Sequence, residues 1–162
     1  MARKSFTSFH YQYDYWRVQQ VLQMGAIEGT EIMPAQNWES IKAKGDAAVE
    51  AWIDREMAFK AAVVVLVGSQ TASRKFVKYE IRRAWSIKKP LVGIRIHGLK
   101  DADKNTSTAG VNPFKQFGFT DSDKTYADYV PLFEPAGATS TEVYASIKSN
   151  LGTWAASGYS RP

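Results

Sequence analysis

A chain of 162 residues with 44% hydrophobic and 13% aromatic side chains has the size and apolar content of one folded domain, not of a disordered segment. It has no cysteine and two histidines, which excludes disulfide scaffolds, thiolate zinc sites and a cysteine nucleophile and argues against a catalytic zinc centre, so no metal is expected. The net charge of +5 suits a phosphate-bearing ligand; its cations are scattered (Lys42 and Lys44, Arg82 and Arg83, Lys88 and Lys89) with no nucleic-acid-binding signature, so nucleic acid is not the expected partner.

The first residues run from Arg3-Lys4 straight into the alternating strand Ser5-Phe6-Thr7-Ser8-Phe9, without an apolar secretory core. No later run approaches the ~20 apolar residues of a membrane span. The expected setting is cytoplasmic and off the membrane. Residues 11–24 read as a helix with Tyr15, Val18, Val21 and Leu22 on one side. Residues 25–37 read as a loop with a short extended piece at Glu31-Ile32-Met33, closed by Pro34. A second helix is expected over 41–58, where Ile41, Val49, Trp52, Ile53 and Met57 recur at helical spacing.

Ala62-Val63-Val64-Val65-Leu66-Val67 is a continuous apolar run, the pattern of a parallel strand buried on both faces. Gly68-Ser69-Gln70-Thr71 turns the chain into a helix over 73–87, which Pro90 ends. Leu91-Val92-Gly93-Ile94-Arg95-Ile96 is the next strand. Residues 98–123, rich in Gly, Asn, Ser, Thr and Lys, read as a long irregular and functional segment. Tyr129-Val130-Pro131-Leu132-Phe133 fits a fifth strand, which its proline assigns to an edge. Thr139-Ser140-Thr141-Glu142 is a capping box opening a last helix, with Val143, Ile147, Leu151 and Trp154 on one face. Strands alternating with helices imply an α/β, doubly wound sheet in a single domain spanning 1–162. Ligands of such sheets bind beyond the carboxyl ends of the strands, here Ser8 to His10, Gly68 to Thr71, and His97-Gly98.

Within the helix after the third strand, Phe76, Val77, Ile81, Ala84 and Trp85 form an apolar stripe, and Glu80 falls inside it. Two readings compete: a carboxylate held in a pocket, or a surface glutamate paired with Arg83 three residues on. His10 and His97 both follow strand ends, where a structural role is the commoner one. Asp14 does not suit a phosphoacceptor, because the central strand ends in Gly68-Ser69 and not in an acid. Neither a P-loop nor a G-x-G-x-x-G follows a strand. Backbone amides at the Gly68–Thr71 turn would suit a phosphate, although an ordinary strand-to-helix turn explains the same residues.

Four landmarks in order resemble the TIR-like domain of bacterial Thoeris anti-phage defence proteins. They are Ser8-Phe9-His10-Tyr11-Gln12, then Val67-Gly68-Ser69-Gln70-Thr71, then Phe76-Val77-Lys78-Tyr79-Glu80-Ile81, and finally Asn112-Pro113-Phe114-Lys115 with Phe117-Gly118. The resemblance runs from about residue 3 to residue 119 and weakens beyond. It implies a flavodoxin-like fold, a five-stranded parallel sheet with helices on both faces. It implies NAD as substrate rather than cofactor, cleaved at the nicotinamide–ribose bond to give a cyclic ADP-ribose isomer. That product is a second messenger for a separate effector protein.

On this resemblance the catalytic glutamate is Glu80, and the substrate-binding residues are Phe6, Ser8, Phe9, His10, Trp38, Ser69 and Phe76. Where many TIR enzymes place a tryptophan or other aromatic close before the glutamate, this chain has Phe76 and Tyr79. Other readings remain beside the cyclase. One is a hydrolase giving linear ADP-ribose. Another is a non-catalytic module that self-associates through the 25–37 loop with Met33 and Pro34. A third, ranked last, is a nucleoside-processing enzyme with a glutamate nucleophile.

Overall fold

The computed structural model describes residues 3–28 and 35–162, the side chains of residues 35–38 excepted. Its first half contains β1 (Arg3–Ser8), α1 (Tyr11–Gln23), β2 (Ile27–Glu28), α2 (Ala35–Lys42), α3 (Asp46–Ala58) and β3 (Ala62–Val67). The second half contains α4 (Lys75–Ser86), β4 (Leu91–Arg95), β5 (Gly118–Phe119), β6 (Ser122–Thr125), β7 (Leu132–Phe133) and α5 (Ser140–Ala155). Five strands form one sheet in the order β2-β1-β3-β4-β7, and every pairing in it is parallel. This is the flavodoxin-like, doubly wound arrangement, with its switch point between β1 and β3.

The apolar run of β3 has the environment its sequence predicts: all six residues are buried. Val63, Val65 and Val67 join Val49, Ile53 and Met57 of α3 and Val77, Ile81 and Ala84 of α4 in one core. Val64 and Leu66 face the other way, onto Val18 and Val21 of α1 and Val143, Ile147 and Leu151 of α5. Helices therefore cover both faces of the sheet, which explains why a central strand carries no polar alternation.

Five sequence expectations change. The helix expected over 41–58 is two helices, because Gly45 takes φ 98°, a left-handed conformation that breaks the ladder between Lys42 and Asp46. The first of them begins at Ala35, inside the expected loop, with Pro34 directly before it in the sequence. The second strand is Ile27–Glu28, while Glu31-Ile32-Met33 and Pro34 lie outside the described residues. Residues 98–123 are less irregular than expected. They include a 3-10 turn at Pro113–Gln116 and the antiparallel β5–β6 hairpin, whose Phe119 joins Tyr126 and Trp85 in an aromatic cluster. The edge strand β7 is shorter than its apolar segment, pairing only Leu132 and Phe133 with β4.

The carboxyl rim of the sheet is organised by a charge pair that lies on the buried face of α1. Asp14 and Arg17 are 0% and 1% exposed and stand 2.9 Å apart. Burial raises the Asp14 pKa, against the hydrogen bond from Arg17. The Arg17 guanidinium also donates to the carbonyls of Leu99 and Asn105, both at 2.9 Å, so one side chain fastens the segment after β4 onto α1. The second oxygen of Asp14 lies against Gly68 so closely that a Cβ there would collide with it. Only glycine lets β3 end at that point.

Removing one member of a buried pair leaves the other charge without compensation. Arg17→Met is expected to cost about 3–5 kcal/mol of unfolding free energy, read from urea titration. Adding Asp14→Asn should recover part of that loss. A loss near zero for Arg17→Met would remove this pair from its organising role.

Candidate functional site

The helix α4 follows β3 through the Gly68–Thr71 turn, and its buried residues are Val77, Glu80, Ile81 and Ala84. Three- and four-residue spacing places them on one stripe against the sheet. Glu80 therefore points inward and is 9% exposed. On β1, Phe6 and Ser8 share a face by strand alternation, and Phe6 packs in the core between the sheet and α3 and α4. Ser8, fully buried, donates its hydroxyl proton to Glu80 Oε1 at 2.6 Å.

Burial pushes the Glu80 pKa up to about 8, and the Ser8 hydrogen bond opposes that rise. Among the described residues no cation forms an ion pair with it. Such a carboxyl is poised to accept a positive charge or a pair of hydroxyl donors, because either would compensate for the solvation it lacks.

The competing surface reading is removed by the partner of Arg83. Its guanidinium pairs with Asp54 of α3 at 3.2 Å, not with Glu80. Tyr79 donates to the same Asp54 at 2.8 Å, and burial with that contact pushes its pKa up to about 12. Residues 79 and 83 thus tie α4 to α3, and Glu80 is left to the interior.

The other candidates fall in several environments. Phe6 is a core side chain, 1% exposed. Phe9 stacks on Tyr11 at 6.1 Å and packs with the α1 and α5 core, on the sheet face opposite Glu80. His10 caps α1, its Nδ1 accepting from the Tyr13 amide at 3.2 Å; burial and the nearby Arg74 charge lower its pKa. Ser69 is half-buried in the β3–α4 turn. Phe76 is half-buried one turn before Glu80, with the Lys75 ammonium 5.0 Å from its ring centre. Trp38 belongs to α2, and its side chain lies outside the described residues.

The phosphate reading of the Gly68–Thr71 turn loses its first donor, since the Gly68 amide is taken by the Thr71 hydroxyl at 2.7 Å. Asn112 and Phe114 prove to be packing residues. Asn112 caps the 3-10 turn by accepting from the Phe114 amide, and the Phe114 ring is fully buried. No cluster of three or more metal-ligating side chains exists among the described residues, and none of their helices is long and apolar enough to cross a membrane.

The Glu80 shift has a defined sign in stability. Its pKa in the fold is about 8, against an ordinary 4.5. Between these values the native state holds a proton that the unfolded chain has released, so stability declines as pH rises through that window and levels above it. Glu80→Gln removes this slope. The variant should gain a few kcal/mol relative to the parent between pH 5 and pH 8, measured by urea unfolding at several pH values. A difference that does not change with pH would contradict the buried placement.

Comparison with known proteins agrees with the architecture. The sequence profile of the family described as "Thoeris protein ThsB, TIR-like domain" matches residues 6–101. A Bacillus cereus (strain MSX-D12) protein named "Putative cyclic ADP-D-ribose synthase ThsB1" is 33% identical over 125 residues, which cover 74% of this chain and 65% of the relative. The match thus spans a little under two thirds of that relative's length. Both Glu80 and Ser8 lie within the matched profile, as do the switch point and the Asp14–Arg17 pair. The chain belongs to the Thoeris ThsB family and carries its TIR-like domain.

Proposed function

We propose that this domain cleaves the nicotinamide–ribose bond of NAD and closes the remaining ADP-ribose into a cyclic isomer, which signals to a separate effector protein in anti-phage defence. The observation that carries the proposal is the buried, serine-held Glu80 carboxyl beyond the end of β1. Family membership and the name of the Bacillus cereus relative support the choice of NAD.

The chemistry needs little more than a fixed carboxylate. When the C1′–N bond breaks, its electron pair returns to the pyridinium ring and nicotinamide leaves neutral. No general acid is required. Positive charge is left on an oxocarbenium-like ribose, as in glycoside hydrolysis. Ionised Glu80 beside that ring holds the ribose hydroxyls and stabilises the charge. The Ser8 hydrogen bond fixes which way the carboxylate faces. A nucleophilic atom of the adenosine half then forms the new bond to C1′ and loses its proton. Water attacking the same carbon would give linear ADP-ribose, so ring closure depends on a folded substrate in an enclosed site. NAD serves as substrate, and the reaction as written uses no other cofactor. Self-association is part of the proposal, with residues 25–37 as the contact.

Glu80→Gln is expected to lower kcat for nicotinamide release by about 10²–10³ while the fold persists by circular dichroism. Chromatography of products from NAD separates the cyclic isomer from linear ADP-ribose. Turnover equal to the parent would end the assignment of Glu80. Assays across protein concentration test assembly, since specific activity should then rise with concentration.

A second measurement reads the protonation state. Below pH 8 the free enzyme holds Glu80 largely protonated, so kcat/KM should rise about tenfold per pH unit and level off above 8. A bound cationic nicotinamide favours the ionised form, so kcat should vary less over the same range. Ser8→Ala removes the one donor that lowers the Glu80 pKa, and should move the kcat/KM inflection to higher pH. An unmoved inflection would mean that Ser8 does not act through Glu80.

A further inference from the structure

A concavity lies on the carboxyl rim of the sheet, beyond the ends of β4 and β7 and beside the start of α5. Its volume is about 190 Å³. Two basic side chains form its walls. Arg95 is 16% exposed and His97 is 20% exposed, while the acid between them, Glu134, is 61% exposed. Glu134 stands 3.0 Å from Arg95 Nε and 3.9 Å from His97 Nε2. Arg95 also donates to the Gly110 carbonyl at 2.6 Å. His97 Nδ1 is buried with no hydrogen-bond partner, and burial, with Arg95 nearby, lowers the His97 pKa while Glu134 raises it. Thr106 and Ser140 add hydroxyl groups to the lining.

The asymmetry of burial decides how this cluster is read. The basic members are built into the walls, and Arg95 is held at its other end by backbone. The acidic member is attached to an exposed stretch and is free to leave for water at little desolvation cost. Glu134 is thus a displaceable carboxylate seated between the fixed Arg95 cation and the His97 imidazole. We propose that this cavity is a binding site for a phosphate group, as inorganic phosphate or a small phosphate monoester, with Glu134 occupying the place of the anion when none is bound.

A phosphate carries up to two negative charges and offers three or more acceptor oxygens, against one charge and two oxygens for Glu134. The Arg95 fork suits such an acceptor geometrically. The cavity is smaller than the ~300 Å³ lower limit for drug-sized ligands, so a phosphate or sugar phosphate fits it and a dinucleotide does not. The first-turn amide of Glu142 in α5 is already satisfied by Thr139, so binding rests on Arg95 and His97. Gly110, which Arg95 holds, lies against the carbonyls of Gly68 and Ser69. Arg95 thus connects the cavity to the β3–α4 turn, while none of the candidate residues around Glu80 lines it, and the inference stands whether or not NAD is the substrate.

The chain has two histidines, so their imidazole proton resonances form a simple probe, assigned with a His10→Asn variant. Inorganic phosphate and ribose 5-phosphate are titrated separately into the intact protein at pH 7 and constant ionic strength. His97 is expected to shift saturably with at least one of them while His10 stays still. Glu134→Gln, at an exposed position, should lower the half-saturating concentration at least fivefold, and Arg95→Lys should raise it. The two ligands differ in outcome: saturation by inorganic phosphate assigns a bare anion site, and saturation only by the sugar phosphate assigns a monoester site. No saturable shift of His97 with either ligand, or a half-saturation that Glu134→Gln leaves unchanged, would overturn the proposal.

Discussion

Glu80 is kept from water by α4 on one side and the sheet on the other, with the Ser8 hydroxyl as a donor to its Oε1. A single neutral donor does not replace the hydration of a carboxylate, and no cation pairs with it among the described residues. The fold therefore holds a group whose charged form is costly until something else arrives. Neighbouring contacts on α4 maintain that condition. Asp54 takes both Arg83 and Tyr79, so the α4 cation at i,i+3 spacing from Glu80 is occupied elsewhere. Were Arg83 to turn inward, the carboxylate would be stabilised in the empty site and its affinity for a cationic ligand would fall.

The rim around this group is rigid for a separate reason. Arg17 distributes its donors among Asp14, Leu99 and Asn105, so α1 and the segment after β4 are a single unit. Asp14 in turn rests on Gly68, at the exit of the central strand. Gly110 closes on the same turn from above, held by Arg95. The turn between β3 and α4 is thus confined on both sides, and with it the angle at which α4 presents Glu80. Precision of that kind is what separates a positioned carboxylate from one that merely happens to be buried.

Most of the layer structure was legible in the sequence because burial there leaves a periodic trace. The valines of β3 and the Val143, Ile147, Leu151 series of α5 gave their environments directly. Glu80 was legible as a residue inside an apolar stripe, although the stripe alone did not choose between pocket and surface; the choice needed the partner of Arg83, which lies on another helix. The pair Asp14 and Arg17 shows the opposite case. With Val18 and Val21 they follow the spacing of a buried face. Their charge nonetheless makes that position easy to read as solvent-exposed. The break at Gly45 was missed because apolar spacing continued across it, and a glycine within a helical pattern is weak evidence unless its φ is known. Ser8 carried no sequence signal for its hydrogen bond, since its acceptor is 72 residues away.

The same logic explains why one carboxylate suffices for the proposed reaction. A leaving group that departs neutral needs no proton, so a second acid would serve no purpose, and its charge would raise the Glu80 pKa further. Nor would a resident cation help, because it would neutralise Glu80 before the ribose developed its charge. What the reaction does require is a carboxylate whose stabilisation of positive charge is largest at the moment that charge appears, and desolvation supplies this, since an interaction screened by water would gain little. The cost is that the resting site favours a protonated Glu80 near neutral pH, and substrate must bring enough positive charge to expel that proton. A site of this design couples substrate charge to catalyst charge, and discriminates against uncharged analogues of NAD before any bond is broken.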